Sequence, residues 1–183
     1  MSSLRASQYE NQGLRMITRI GLILTLFIGA FHICTAQIFE PVKWTYEVER
    51  SSETDAELHF VATIDEGWHL YSQHIDGDGP VPTEFDFKEL NNVELVGETD
   101  EPKGHTEFDP NFEITVKYFE TEAVFTQKIK VADGKATAGG ELIYMVCNDE
   151  RCLPPEYVDF EFEVPVFSGE NGSIPIEQQP SEQ

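Results

Sequence analysis

The sequence predicts an all-β fold, arranged as an antiparallel sandwich of two sheets. Apolar and polar residues alternate with a period of two along about nine short segments, and turn residues separate these segments. After Gln37, no helical stripe of ten residues and no internal repeat is visible. Aromatic residues make up 11% of the 183 residues, which is enough for the core of one domain.

The predicted strands differ in how clearly they alternate. The first, VKWTYEVER, places Val42, Trp44, Tyr46 and Val48 on one face, and the second, ELHFVATI, follows the same pattern. The segments TEFDFK and VELVG alternate more weakly. In order, the nine predicted strands are residues 42–50, 57–64, 68–72, 83–88, 93–97, 113–120, 123–131, 141–147 and 156–164.

Two connections between these strands are unusual. The segment DGDGPVPT, residues 76–83, is too rich in Gly and Pro for a strand interior. The segment DEPKGHTEFDPNFE, residues 100–113, is long for a hairpin connection and is expected to be a loop, of a length that often serves function. The polar tail at residues 168–183 is expected to be disordered.

The N-terminus resembles a signal peptide. Arg15 and Arg19 precede the apolar run IGLILTLFIGAFHI, which is short for a membrane-spanning helix. Small residues around Ala36 predict cleavage before Gln37, so residues 1–36 are assigned to the signal peptide and residues 37–167 to the folded domain. Met16 is an alternative start, and an uncleaved anchor or a lipid anchor on Cys34 are alternatives to cleavage.

The charge restricts the classes of partner. The formal net charge is −22, and removal of residues 1–36, with three basic residues and one acidic residue, makes it −24. Such a charge argues against nucleic acid and against anionic membrane surfaces. The predicted signal peptide indicates an exported, periplasmic domain, and we expect this domain to be a monomer without tight membrane association.

The segment YMVCNDERCLPPE contains the two cysteines that remain after cleavage, Cys147 and Cys152. The four residues between them are expected to form a hairpin loop, which brings the cysteines face to face across two strands. Three interpretations remain open: a structural disulfide, a redox-active pair and a metal site. The metal site has the least support, because the histidines are scattered and zinc sites usually need four ligands.

At these residues the chain resembles a known family, the N-terminal immunoglobulin-like periplasmic domain of the thiol:disulfide interchange protein DsbD, also called the disulfide-bond corrector domain. YMVCNDERCLPPE resembles the family's Tyr-x-x-Cys…Cys-x-Pro-Pro-Glu segment, and GWHLYSQHI and VKYFETEAVFTQKIKV resemble two further motifs. The resemblance covers roughly residues 40–165. It implies an immunoglobulin-like antiparallel β-sandwich of about nine strands.

The resemblance also implies roles for individual residues. Cys147 and Cys152 would be the redox pair, with Cys152, near Pro154, forming mixed disulfides with partners. An aromatic cap loop within Thr106–Phe112, which includes Asp109, would shield the pair through Phe108 or Phe112. Tyr71 matches a tyrosine near the cysteines, whereas His69 stands where the family usually has another tyrosine. No metal and no cofactor are expected.

The function implied is thiol:disulfide interchange, in which the domain carries reducing equivalents between thioredoxin-like periplasmic proteins and a membrane thiol reductase. The chain as printed has no room for the membrane-embedded and thioredoxin-like domains of the usual protein, so the electron donor is expected to be a separate protein. The alternative is a non-catalytic secreted β-sandwich that binds a partner and has a structural disulfide.

Overall fold

A computed structural model describes residues 39–110 and 112–167, together with the backbone of residues 173–176. The expected signal peptide lies outside the described residues. The described part contains twelve strands and no helix, and thus no helix long and apolar enough to cross a membrane. The strands are β1 Val42–Arg50, β2 Asp55–Ile64, β3 His69–Tyr71, β4 Glu84–Asn91, β5 Val93–Asp100, β6 His105–Asp109, β7 Ile114–Phe119, β8 Glu122–Val131, β9 Ala136–Tyr144, β10 Val146–Cys147, β11 Glu156–Val164 and β12 Ser173–Ile176.

The strands form three antiparallel sheets. The first has the order β12-β1-β2-β8-β5, the second β10-β3-β7-β6 and the third β11-β9-β4. Side chains of the first and third sheets meet in one aromatic core, so these two sheets are the layers of a sandwich. The predicted immunoglobulin-like, all-β fold is confirmed.

Phe60 on β2 lies at the centre of the contact between the two layers. Its ring centroid is 4.4 Å from that of Phe85 on β4, and 4.9 and 5.0 Å from those of Phe160 and Phe162 on β11. Alternate residues of β1, β2, β8 and β11 are buried in the same way. The period-two pattern therefore builds the core, because successive side chains of a strand point to opposite faces.

The second sheet separates two apolar clusters. Leu70 on β3, Phe119 on β7 and Val146 on β10 belong to the main core. Their neighbours Tyr71 and Cys147 belong to a second cluster, which also includes Val116 and the partly buried Phe112 and Cys152. Alternation along three short strands thus directs the cysteine pair away from the main core.

The structure corrects the prediction in two segments. The expected loop at residues 100–113 contains β6, which pairs with β7 from His105↔Tyr118 to Asp109↔Ile114. The predicted strand at residues 141–147 is two strands. β9 begins earlier, at Ala136, and pairs with β4 and β11, whereas β10 pairs with β3.

In the tail that was expected to be disordered, the backbone of β12 pairs with β1, and the rest of that tail lies outside the described residues.

Gly140 on β9 is required by the close approach of β4. A Cβ atom at this position would collide with the carbonyl oxygen of Asp86, whereas a Cβ at Gly139 would lie 3.3 Å from the carbonyl oxygen of Phe160. We expect Gly140→Ala to lower the free energy of unfolding by about 1–3 kcal/mol, because the strands must move apart. The matched variant Gly139→Ala should cost less. Denaturant unfolding of both variants measures this difference, and equal losses would contradict it.

Candidate functional site

The candidate site is built around the disulfide between Cys147 and Cys152. The two residues form an isolated antiparallel bridge with Cα atoms 4.0 Å apart. The flanking backbone bonds run from Asn148 N to Arg151 O and from Leu153 N to Val146 O, each 2.9 Å. The cysteines therefore occupy the position without backbone bonds between them, where facing side chains come closest in an antiparallel pair.

The loop between the cysteines is held by its first residue. Asn148 Oδ1 accepts hydrogen bonds from the backbone N–H groups of Glu150 and Arg151, at 3.0 and 2.9 Å. Asparagine commonly stabilises a tight turn in this way. The predicted hairpin is present, but its second strand consists of a single bridge residue, Cys152, which pairs with Cys147. Pro154 and Pro155 follow, and the next strand, β11, begins at Glu156.

The two sulfur-bearing residues differ in exposure. Cys147 is fully buried, with no accessible surface, whereas Cys152 is partly exposed and is followed by the exposed Pro154. Arg151, the cation nearest to the pair in sequence, lies with its guanidinium 5.9 Å from the centre of the Trp68 ring. A reactant from solvent thus reaches Cys152 and not Cys147.

Strand β3 brings His69 and Tyr71 to the same face as Cys147. Tyr71 Oη donates a 2.7 Å hydrogen bond to Asp109 Oδ2 on β6, and His69 Nε2 lies 3.2 Å from Tyr71 Oη. Burial, and then the hydrogen bond and charge of Asp109, raise the pKa of Tyr71. The phenol therefore stays protonated and links β3 to β6.

Burial lowers the pKa of His69 below its ordinary value, although the carboxylates of Asp109, Glu120 and Asp149 act in the opposite direction. Its ring lies 4.9 Å from that of Tyr118 on β7. At neutral pH we therefore expect the His69 imidazole to be neutral, with carboxylates as its charged neighbours.

The two candidate phenylalanines have different positions. Phe112 lies in the turn between β6 and β7, in the cluster that contains both cysteines, with its ring 6.2 Å from that of Tyr71. Phe108 lies on β6 and is 59% exposed. Of the candidate residues, the structure brings together Cys147, Cys152, His69, Tyr71, Asp109 and Phe112, and it leaves Phe108 and Pro154 at the surface.

A polar network behind the site has no counterpart among the sequence-based expectations. Glu101 accepts hydrogen bonds from Ser72 Oγ at 2.8 Å, from Gln73 N at 2.8 Å and from Lys117 Nζ at 2.7 Å. Only 7% of the Glu101 side chain is exposed. Because Glu101 lies four residues before β6, this network fixes the start of the strand that carries Asp109 to the end of β3 and to β7.

In the described ranges, no group of three or more His, Cys, Asp or Glu side chains is arranged to hold a metal ion. The arrangement at the site is suited to sulfur chemistry, since it combines one partly exposed cysteine, one buried cysteine and a hydrogen-bonded chain of titratable groups beside them.

The charge of Glu101 is expected to stabilise the fold in a pH-dependent way. Burial opposes its ionisation, but the hydrogen bonds from Lys117, Gln73 and Ser72 outweigh burial, and the pKa of Glu101 is lowered. Its contribution is complete above the ordinary glutamate pKa of about 4.3 and is lost as the pH falls through the lower, folded-state value. We expect Glu101→Gln to cost about 1.5–3 kcal/mol at neutral pH, because a hydrogen-bonded charge is removed.

Thermal unfolding of the parent and of Glu101→Gln between neutral and acidic pH measures this contribution. The difference in stability should shrink as the pH falls below 4.3, roughly the ordinary glutamate pKa. The exposed Glu98→Gln provides a matched control, and a constant difference across the range would contradict a role for the charge.

Comparisons with known proteins identify the family to which the chain belongs. A protein-family model described as "Thiol:disulfide interchange protein DsbD, N-terminal" matches residues 36–164. No curated protein sequence matches the chain.

Three solved structures are similar to the chain. The Neisseria meningitidis DsbD N-terminal domain in the reduced form is 18% identical, with 76% of this chain and 96% of that chain covered and a TM-score of 0.45. The N-terminal periplasmic domain of ScsB from Proteus mirabilis is 16% identical, with 71% and 48% covered and a TM-score of 0.49. The complex between the DsbD and PilB N-terminal domains of N. meningitidis gives 16% identity, 69% and 87% coverage and a TM-score of 0.41.

The identities to these structures are low, and the family assignment rests on the match of the family model, which spans well over half of the 183 residues. The chain belongs to the family of DsbD N-terminal domains.

Proposed function

We propose that this domain carries reducing equivalents between thioredoxin-fold proteins of the periplasm through the Cys147–Cys152 pair. The observation that carries the proposal is the disulfide itself, which joins a buried and a partly exposed cysteine across a four-residue turn in a member of this family. Family membership supports thiol:disulfide interchange in general. The partner class, thioredoxin-like proteins and a membrane thiol reductase, is our expectation for this chain.

The small contribution of the bridge to folding favours a functional role. A disulfide that closes a loop of six residues is worth about 2 kcal/mol by chain entropy. Neither cysteine belongs to the main core, which packs around Phe60 and the aromatic side chains of the facing sheet. The sandwich therefore has little need of the bridge, and its reduction would leave the fold intact.

The difference in exposure assigns the order of events. A partner thiolate attacks Cys152 Sγ, a bond forms between the partner sulfur and Cys152, and the Cys147–Cys152 bond breaks with its electron pair on Cys147 Sγ. A second thiol of the partner then displaces Cys152. The partner leaves as a disulfide and this domain as a dithiol. In the reverse transfer, Cys152 attacks the disulfide of an acceptor and Cys147 resolves the mixed disulfide.

The experiment that tests the function is equilibration of the purified domain with thioredoxin and glutathione buffers. We expect the bridge to cycle between dithiol and disulfide at a potential above about −300 mV, since structural disulfides lie below this value. Thiol alkylation followed by mass spectrometry measures the reduced fraction, and the Cys147→Ser, Cys152→Ser double variant gives the zero level. A bridge that stays oxidised would identify a structural disulfide and remove the carrier function.

The position of Phe112 supports a role as the lid of the pair. It lies in the turn after β6, in the apolar cluster that includes both cysteines, and its edge-on contact with Tyr71 ties the turn to β3. An exposed reactive pair in an oxidising compartment would exchange with stray thiols, and access to the sulfur controls that rate. We therefore assign the shielding to Phe112 and not to Phe108.

Replacement of Phe112 by Ala should speed reduction of the bridge by dithiothreitol several-fold, because Cys152 becomes more accessible. The stability should fall by only about 1–2 kcal/mol, since the ring is partly exposed. Timed reduction of Phe112→Ala, Phe108→Ala and the parent domain measures the effect, and Phe108→Ala, which removes a 59% exposed ring from the preceding strand, is the matched control. Equal rates in the three proteins would exclude a shielding role for Phe112.

A further inference from the structure

His69 lies directly across from the buried cysteine. In the ladder between β3 and β10, Leu70 pairs with Val146 and His69 pairs with Cys147. Residues opposite each other in an antiparallel pair have side chains on the same face, with Cβ atoms roughly 4.5–5.5 Å apart. Cys147 is in turn bridged to Cys152. The three residues therefore lie in one row across the sheet, with the side chains of His69 and Cys147 on the same face.

The hydrogen bonds of Tyr71 determine the protonation of one imidazole nitrogen. Tyr71 Oη has a single proton, which it donates to Asp109 Oδ2. His69 Nε2, 3.2 Å from the same oxygen, must then donate its own proton to Tyr71. Nδ1 is consequently the nitrogen that gains or loses a proton when the imidazole titrates.

Opening of the disulfide leaves negative charge on Cys147 Sγ, and the surroundings of this sulfur do little to stabilise it. Cys147 has no accessible surface, so negative charge on its sulfur would lack solvation by water. The groups that face His69 are acidic or neutral: Asp109 on β6, Tyr118 on β7, Glu120 directly after β7, Asp149 in the hairpin loop and Tyr71 on β3 itself. Beyond these, Glu107 hydrogen-bonds Tyr118, and the ring of His105 lies 5.7 Å from that of Tyr118.

A proton donor beside Cys147 Sγ would neutralise the negative charge and so remove the free-energy cost of burying it. Tyr71 is unsuited to the role, since its proton is held by Asp109 and burial keeps it protonated. Asp109 is occupied by that same hydrogen bond. His69, whose pKa burial lowers from its ordinary value, lies directly opposite Cys147, the residue whose sulfur leaves.

We propose that His69 is the acid–base residue of the exchange reaction and acts on Cys147. This rests on the proposed function, in which Cys152 is the sulfur attacked. When the partner thiolate bonds to Cys152 and the electron pair of the broken S–S bond passes to Cys147 Sγ, the imidazolium gives its proton to that sulfur and becomes neutral. In the reverse transfer, the neutral imidazole takes the proton from the Cys147 thiol. The Cys147 thiolate then attacks Cys152 Sγ in the mixed disulfide with the acceptor, the Cys147–Cys152 bond forms, and the electron pair of the broken bond leaves on the acceptor sulfur.

The sign of the pH dependence follows from this role. Donation requires the imidazolium, which is populated below the pKa of His69, and this pKa is lowered from its ordinary value by burial. Reduction of the bridge should therefore benefit from His69 at mildly acidic pH. The benefit should disappear as the pH rises through the pKa of the imidazole.

Two substitutions separate proton transfer from positioning. His69→Gln retains an N–H group that can bond Tyr71 Oη but does not titrate, whereas His69→Phe retains a ring beside Tyr118 and loses both properties. Reduction of the oxidised domains by dithiothreitol is followed across the pH range, and the ratio of parent to variant rates cancels the ionisation of the reductant. His59→Gln, on β2 of the first sheet, is the control for removal of a histidine elsewhere in the domain.

We expect the parent to be at least tenfold faster than His69→Gln at mildly acidic pH, a conservative figure beside the roughly 10²–10⁴-fold typical of general acid–base catalysis. The ratio should approach one above about pH 8, where the imidazole is neutral. His59→Gln should follow the parent throughout.

Two results would overturn the proposal. If His69→Gln matches the parent at every pH and only His69→Phe is slow, His69 positions Tyr71 without moving a proton. If all variants match the parent, His69 has no part in bridge opening. These rates are measured with a small dithiol, so they do not depend on the equilibration with thioredoxin that tests the carrier function. Failure of that equilibration would remove the carrier function. A parent-to-variant rate ratio that does not change with pH would remove only the role of His69.

Discussion

The passage of the chain from β9 to β10 is the constraint on which the candidate site depends. Tyr144, the last residue of β9, is buried in the main core and pairs with β11, and two residues later Val146 pairs with Leu70 of β3. Burial of Val146 in the main core leaves Cys147 facing the opposite side of the second sheet, because adjacent side chains of a strand alternate. The energy of core packing therefore fixes the direction of the first cysteine, and the four-residue turn fixes the second.

A small set of polar contacts holds the strands that surround the cysteine pair. Glu101, Lys117 and Ser72 tie the end of β3 and the strand β7 to the start of β6, and Tyr71 ties β3 to Asp109 at the end of β6. The turn with Phe112 is thus attached at a defined place. In the proposed role of Phe112 as a lid, its displacement by a partner would leave the fold unchanged, since the main core does not include Phe112.

The sequence allowed prediction of the sandwich and the cysteine hairpin because both have local signals, namely period-two alternation and two cysteines around a short polar turn. It did not reveal β6, since His105, Thr106, Glu107 and Phe108 are all exposed and show no alternation, nor the start of β9, where Gly139 and Gly140 weaken the strand pattern. The Glu101–Lys117 contact joins the connection between β5 and β6 to β7 and has no local signal. The choice between Phe108 and Phe112 depended on where β6 ends, which the sequence left undecided.

The charges around the cysteine pair indicate that the attacking thiolate comes from the partner and not from this domain. No helix N-terminus is present in the described part of the chain to lower the pKa of a thiol. The acidic residues Asp149 and Glu150 lie in the loop between the cysteines, and the guanidinium of Arg151 lies over Trp68. Both a buried Cys147 and an acidic neighbourhood disfavour thiolate. A domain of this kind accepts attack from a partner thiolate more readily than it begins exchange, and this is the behaviour required of a carrier whose pair must remain unreactive between encounters.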